Sequence, residues 1–175
     1  MKSKRKGILK IAIDSPAAAG AGTLAKAISN HYNLLYLDTG KLYRIIAYLN
    51  LKYPKKFNLK FLKKKFNSIK VKDFKNRELL SEDVSVKASV LAKVKNIRKL
   101  VHSIQLKFAS NPPKRFKGSC LDGRDITYNI MPDADFKFYI TANVKIRAFR
   151  RYKELKSLKK KITYAEVLKS IKKRD

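Results

Sequence analysis

Apolar residues fall along this chain in short runs that alternate with amphipathic stretches. Ile8–Ile13 (ILKIAI) is short enough for a buried strand, and it stops at Asp14 before a small-residue loop, SPAAAGAG. Thr23 then opens TLAKAISNHY, whose pattern predicts a helix. Leu34–Leu37 predicts a second strand, followed by Asp38-Thr39-Gly40 and a helix from about Lys41 to Leu51. That succession of strand, turn and helix predicts an α/β fold, a mostly parallel sheet with helical crossovers.

From Lys52 to about Asp83 the pattern loosens into a basic, partly alternating stretch, read as a small inserted subdomain. Val84–Ala109 predicts one long amphipathic helix, with Val90, Leu91, Val94, Ile97, Val101, Ile104 and Phe108 on one broad face. Asn111-Pro112-Pro113 ends it. Ser119–Leu121 and Phe136–Ile140 predict further strands, the first leading into Asp122-Gly123-Arg124-Asp125. Val144–Leu155 predicts a cationic helix carrying Arg147, Arg150 and Arg151. Thr163-Tyr164-Ala165-Glu166 is a capping box that starts a last helix, still running at Arg174-Asp175.

Composition narrows the class. The 175 residues suit one domain, and 45% apolar content excludes a wholly disordered chain. No apolar stretch approaches the roughly 20 residues needed to span a bilayer, and the basic start MKSKRKGILKIAID lacks a cleavage pattern. A single cysteine, Cys120, permits no internal disulfide and points to a reducing, cytoplasmic setting. Lys and Arg number 43 against 13 acids, a formal charge of +30. That excess invites a nucleic-acid reading. However, 33 of the cations are lysines spread from Lys2 to Lys173, with no stacking series of aromatics. The expectation is a solvated basic surface, no nucleic-acid or membrane partner, and small anions such as mononucleotides as ligands. Asp14, Asp38, Asp122, Asp125 and Asp133 sit at or near the ends of apolar runs, where open α/β sheets put their ligand sites.

The loop Ser15-Pro16-Ala17-Ala18-Ala19-Gly20-Ala21-Gly22-Thr23 has the place and size of a phosphate cradle, in which backbone N–H groups and a helix N-terminus converge on an anion. The usual patterns are GxxxxGK[ST] or GxxGxGKGT. Here Ser15 replaces the first Gly and Ala21 the Lys, while Gly20, Gly22 and the Mg²⁺-binding hydroxyl position, Thr23, survive. Alone, the segment reads equally as an Ala/Gly turn.

Three further stretches decide between those readings. Asp38-Thr39-Gly40-Lys41-Leu42-Tyr43-Arg44 resembles the DSGxxYR segment of bacterial cytidylate kinases, the (d)CMP kinase family. Asp122-Gly123-Arg124-Asp125 with Pro132-Asp133-Ala134 resembles their DGRD…PDA segment. Ala88-Ser89, Val94–Arg98 and Gln105 are similar to their AxS…VR…Q helix. With the loop, these lie in the family's order across essentially the whole chain. The resemblance implies a P-loop nucleoside monophosphate (NMP) kinase fold over 1–175, with 52–83 the inserted part of an NMP-binding subdomain and 143–175 the start of a lid. It implies transfer of the ATP γ-phosphoryl group to CMP or dCMP by a monomer using Mg²⁺.

The resemblance also implies roles. Arg44 and Arg124 would hold the CMP phosphate. Thr39, Arg98 and Asp125 would read the cytosine edge, Ser89 would touch the sugar, and Arg174 would open a lid signature, RDxxDxxR. Arg151 is the ATP-side candidate. Each also has a plain reading: a solvated helix charge for Arg44, Arg98 and Arg151, a turn residue for Asp125, a core-edge residue for Ser89.

Two departures stand out. The signature stops after Arg174-Asp175, so the chain resembles about the first three-quarters of a family member and is expected to be weakly active or inactive and less stable than a longer form. Ala21 removes the loop cation; Lys41, in a position usually small in the family, is the expected replacement. The competing readings are a non-catalytic nucleotide-binding relative and an RNA-binding basic domain.

Overall fold

The computed structural model describes residues 7–68, 73–74 and 76–175. The basic residues 1–6, and positions 69–72 and 75 of the insert, lie outside the described residues.

Four strands form one parallel sheet: β1 (Leu9–Asp14), β2 (Leu34–Asp38), β3 (Gly118–Gly123) and β4 (Phe136–Tyr139), in the order β2-β3-β1-β4. Alternating side chains along the strands feed two cores, as the two-residue pleat dictates. Ile11, Ile13, Leu34 and Cys120 pack with Ala21 and Ala25 of α1 (Ala21–Tyr32). Ala12, Leu37 and Leu121 face α2 (Thr39–Lys52), α3 (Leu59–Asn67), α4 (Glu82–Leu91) and α5 (Lys95–Ser110). A third cluster, Ala148, Leu155, Val167 and Ile171, joins α6 (Val144–Ser157) to α7 (Tyr164–Arg174). The expected α/β fold with a parallel sheet is therefore present.

Several boundaries differ from expectation for local reasons. α1 starts at Ala21 rather than Thr23, because Gly20, at φ +103°, is its cap and its carbonyl already accepts from Thr23 and Leu24. α2 starts at Thr39 because the Asp38 side chain caps it, accepting from the Lys41 N–H at 3.2 Å. The single helix expected over 84–109 is two. Val84, Ala88 and Leu91 form one buried stripe and Ile97, Val101, Gln105 and Ala109 another. Seven residues on from Leu91 would be Arg98, so the second stripe is one position out of phase with the first. A turn through Val94 resets it, leaving Val90 and Val94 exposed. The insert contributes α3 and two short 3₁₀ turns, Pro54–Lys56 and Arg77–Leu80. The capping box forms as expected: Thr163 accepts from the Glu166 N–H, and Glu166 accepts from the Thr163 N–H at 2.7 Å.

Candidate functional site

Strand register sets the site. Asp38 stands beside Asp122, and Asp14 beside Gly123, so three carboxylates meet at the carboxyl ends of β2, β3 and β1. This is the edge where open α/β sheets bind ligands.

The β1–α1 loop lies directly above that edge. Ser15 N–H is fixed to the Gly123 carbonyl at 2.9 Å. Among the described residues, the N–H groups of Ala17, Ala18 and Gly20 donate to no backbone carbonyl, which leaves them for an anion. Ala18 is left-handed, at φ +61°. It occupies the second Gly of the GxxGxGKGT spacing, a substitution the sequence pattern alone made easy to overlook. Thr23 is exposed in the first turn of α1, and Ala21 is buried against the sheet.

Beneath the loop is a buried carboxylate cluster. Burial, followed by the Asp38 charge, pushes the Asp122 carboxyl up to about 7, with Tyr36, Lys26 and Lys41 opposing. Burial also raises the Tyr36 phenol. Asp122 Oδ1 has no hydrogen-bond partner among the described residues. An orphaned oxygen in a doubly acidic corner beside the Thr23 turn fits a divalent cation by the chemistry of its donors. Tyr36 has no motif to mark it, whereas Asp122 opens the DGRD-like segment at a strand end.

Across the cleft, guanidinium groups gather. Arg44, on α2, donates to the Leu79 carbonyl at 2.8 Å. Burial, then the neighbouring Arg151 and Arg174 charges, push its guanidinium down to about 10. Burial also lowers Arg174, with Arg151 and Arg124 adding to the effect. Arg124 donates to the Arg174 carbonyl at 2.7 Å. Arg44, Arg151 and Arg174 thus share one like-charged corner, which Arg124 joins through Arg174, an arrangement that an anion relieves.

The turn after β3 carries a second group. Asp125 sits at φ +61° and starts a π-helical turn over Ile126–Ile130. Its carboxylate accepts from the Tyr128 hydroxyl at 2.8 Å and lies 3.6 Å from the Arg98 guanidinium. Tyr43 borders both, and burial raises its phenol.

Other expected residues are placed differently. The Thr39 hydroxyl is buried and donates to the Asp122 carbonyl at 2.9 Å, pressed so closely on Gly123 that an added Cβ there would lie 2.0 Å away. Ser89 is half-buried and donates to the Ser85 carbonyl on its own helix. Lys41 presents its backbone N–H to Asp38, and its ammonium acts on Asp122. Arg151 is buried, and among the described residues its hydrogen bonds go to none of the loop residues. It donates to the Leu80 carbonyl at 2.7 Å and to Glu154 at 2.6 Å, with Glu82 at 3.7 Å. It is Arg147 and Arg150 that reach the loop, donating to the carbonyls of Ala17 at 3.2 Å and Ala19 at 3.0 Å. Arg147 also pairs with the Asp175 carboxylate, which raises its pKa.

A Gly-containing cradle at the carboxyl end of a parallel sheet, faced by converging arginines, defines a nucleotide-binding α/β phosphotransferase. A family model described as cytidylate kinase matches residues 11–175. The cytidylate kinase of Bartonella tribocorum is 43% identical over 168 residues, covering 94% of this chain and 75% of that protein. That of Clostridium tetani is 43% identical over 176 residues, covering 94% and 76%. That of Mesomycoplasma hyopneumoniae is 37% identical over 183 residues, covering 95% and 76%. The chain belongs to the cytidylate kinase family. Its activity is that of a nucleoside monophosphate kinase, a phosphotransferase with ATP as donor.

Proposed function

We propose that the chain transfers the ATP γ-phosphoryl group to CMP or dCMP, with the residues of the cleft in the following roles. The reading is carried by the gathering of Arg44 and Arg124 around Arg174. Three guanidiniums held together against their own repulsion suit a phosphate that accepts bidentate hydrogen bonds.

The acceptor oxygen of a nucleoside monophosphate is already ionised at neutral pH, so no general base is needed. The work left is alignment and neutralisation of crowded negative charge. Arg44 and Arg124 hold the acceptor phosphate, and Arg174 closes over it. The loop 15–23 takes the donor phosphates. Lys41 adds positive charge from the α2 side, between the carboxylate pair and the phosphates. Mg²⁺, when bound at Thr23 and the Asp122 corner, screens charge between donor phosphates.

Arg98 and Asp125 face the base. A carboxylate accepts from the exocyclic amine of cytosine, whereas the carbonyl that uracil carries there would meet an acceptor. The Tyr128 hydroxyl fixes the Asp125 carboxylate for that contact. Thr39 forms the wall behind it through Asp122, and Ser89 borders the sugar. Arg151 joins the lid helix to α4, and Arg150 takes over its ATP-side place. The segment 52–83 is the insert on the NMP side, and 143–175 the start of the lid.

The protein acts on free nucleotides, as a monomer in the cytoplasm. Among the described residues no helix is long and apolar enough to cross a membrane.

Titration calorimetry with CMP on the parent chain, Arg44→Ala and Asp125→Ala tests the reading. CMP affinity is expected to fall at least tenfold in both variants, and Arg44→Ala also weakens inorganic phosphate binding. Unchanged CMP affinity in both would overturn it.

A further inference from the structure

The loop keeps its backbone cradle but has a buried methyl, Ala21, at the position of the family's loop lysine. Three observations bring a different cation to the same place. The Arg150 guanidinium donates through Nη1 to the Ala19 carbonyl at 3.0 Å. The same nitrogen lies 3.4 Å from where a Cβ on Gly20 would be, so it sits over the cap of α1. Arg150 is nevertheless an exposed residue, so its guanidinium is not sealed into the core by that contact.

The rest of α6 is fixed by other groups. Arg147, one turn earlier, donates to the carbonyls of Ala17 and Ala142 and pairs with Asp175. Ala18 packs against the α6–α7 apolar cluster. Arg151 anchors another side of the helix to Leu80 and Ser85. Arg150 is therefore carried on a helix docked to the loop without having to hold it there. Among the described residues Lys41 makes no such contact: its backbone N–H bonds to Asp38 and its ammonium acts on Asp122.

We propose that Arg150 supplies the cation missing at Ala21, binding the β- and γ-phosphates of the donor nucleotide from the lid helix across the loop. The proposal rests on the loop being the donor site. A guanidinium has five N–H donors. With one spent on Ala19, the remainder can bridge two phosphate oxygens, as a lysine ammonium does from the helix side. One consequence separates this arrangement from an ordinary loop lysine. The cation moves with α6, so it is delivered only while the lid helix is docked, and donor binding and lid docking become one event.

The test is equilibrium binding of ATP, ADP and AMP, and separately of CMP, to the parent chain, Arg150→Ala, Arg150→Lys and Lys41→Ala in the presence of Mg²⁺. Thermal melts confirm that the exposed substitutions leave folding intact. Arg150→Ala is expected to weaken ATP by at least about tenfold, to shrink the preference for ATP over AMP by a similar factor, and to leave CMP within about twofold. Arg150→Lys should fall between, and Lys41→Ala should lose less of the ATP preference than Arg150→Ala does. ATP affinity unchanged in Arg150→Ala would overturn the proposal. So would equal losses for ATP, AMP and CMP, which mark a purely structural role, or a parent chain that binds no ATP. A parent chain that prefers ATP through Arg150 but binds no CMP would support the proposal while refuting the CMP reading.

Discussion

The Asp14 carboxylate at the end of β1 holds the Thr127 hydroxyl at 2.5 Å and the Thr127 N–H at 3.1 Å, and it accepts from the Ile126 N–H at 2.7 Å. The first strand thereby fixes the π-helical turn that begins just after Arg124 and Asp125. The phosphate loop grows out of the same residue, since Ser15 follows it directly. One buried carboxylate sets the distance between the donor cradle and the acceptor-binding turn.

Asp14→Ala is expected to unfold the turn without removing any group that touches nucleotide. Three donors lose a charged acceptor, and stability should fall by on the order of 3 kcal/mol. Denaturant melts measure that loss. At temperatures where the variant is folded, CMP affinity should fall further than ATP affinity, because the displaced turn carries Arg124 and Asp125.

Ala18 is expected to be a site of easy stabilisation. An Ala at φ +61° carries a Cβ clash that Gly does not. Ala18→Gly should gain about 1 kcal/mol from relieving it, offset partly by the greater entropy of the unfolded glycine chain and by lost packing on the α6–α7 cluster. A net loss of stability in thermal melts would show that packing outweighs strain at this position.

Asp122 gives the protein a pH dependence of defined sign. Its folded pKa of about 7 stands well above the ordinary carboxylate range. Between about pH 4 and pH 7 the native state keeps a proton that the unfolded chain has released. Its contribution to stability is therefore complete at the acid end of that window and declines as pH rises, levelling above about 7. Asp122→Asn should flatten this slope in melts taken across the window. Mg²⁺ together with ATP should favour the ionised form and release the proton, measurable as buffer-dependent heat in calorimetry.

Arg151 is expected to matter for stability more than for ATP. It is 5% exposed and its partners lie on α4, on the preceding turn and on its own helix. Arg151→Ala should cost about 2 kcal/mol by leaving buried acceptors unpaired. ATP affinity in the folded variant should change less than in Arg150→Ala.

The sequence made the sheet legible because each strand is a short apolar run ending at a polar residue, and Asp14, Asp38 and Asp122 mark the ligand-binding edge. The arginines Arg44, Arg98 and Arg124 were legible through their motifs. What escaped depends on tertiary placement. The break between α4 and α5 was hidden because Val90 and Val94 continue the apolar pattern while the buried stripe changes phase. Arg150 and Arg151 are neighbours in sequence, yet helical rotation sends one to the loop and the other to α4. Lys41 stands out in the sequence as a replacement cation because it follows β2, and in the structure its charge acts on Asp122. The contact between Arg150 and Ala19 spans 131 positions and leaves no local signature. The π-helical turn after Asp125 follows from a left-handed residue and a carboxylate more than a hundred positions away.

The central claim is that this cleft joins an ATP phosphate to a cytosine nucleotide. ADP release measured with CMP, dCMP, UMP and AMP as acceptors tests it most directly. The account predicts kcat/KM for CMP and dCMP at least about 100-fold above AMP, with UMP between, and loss of that ranking in Asp125→Ala. Equal turnover of AMP and CMP, or a ranking that Asp125→Ala leaves intact, would contradict it.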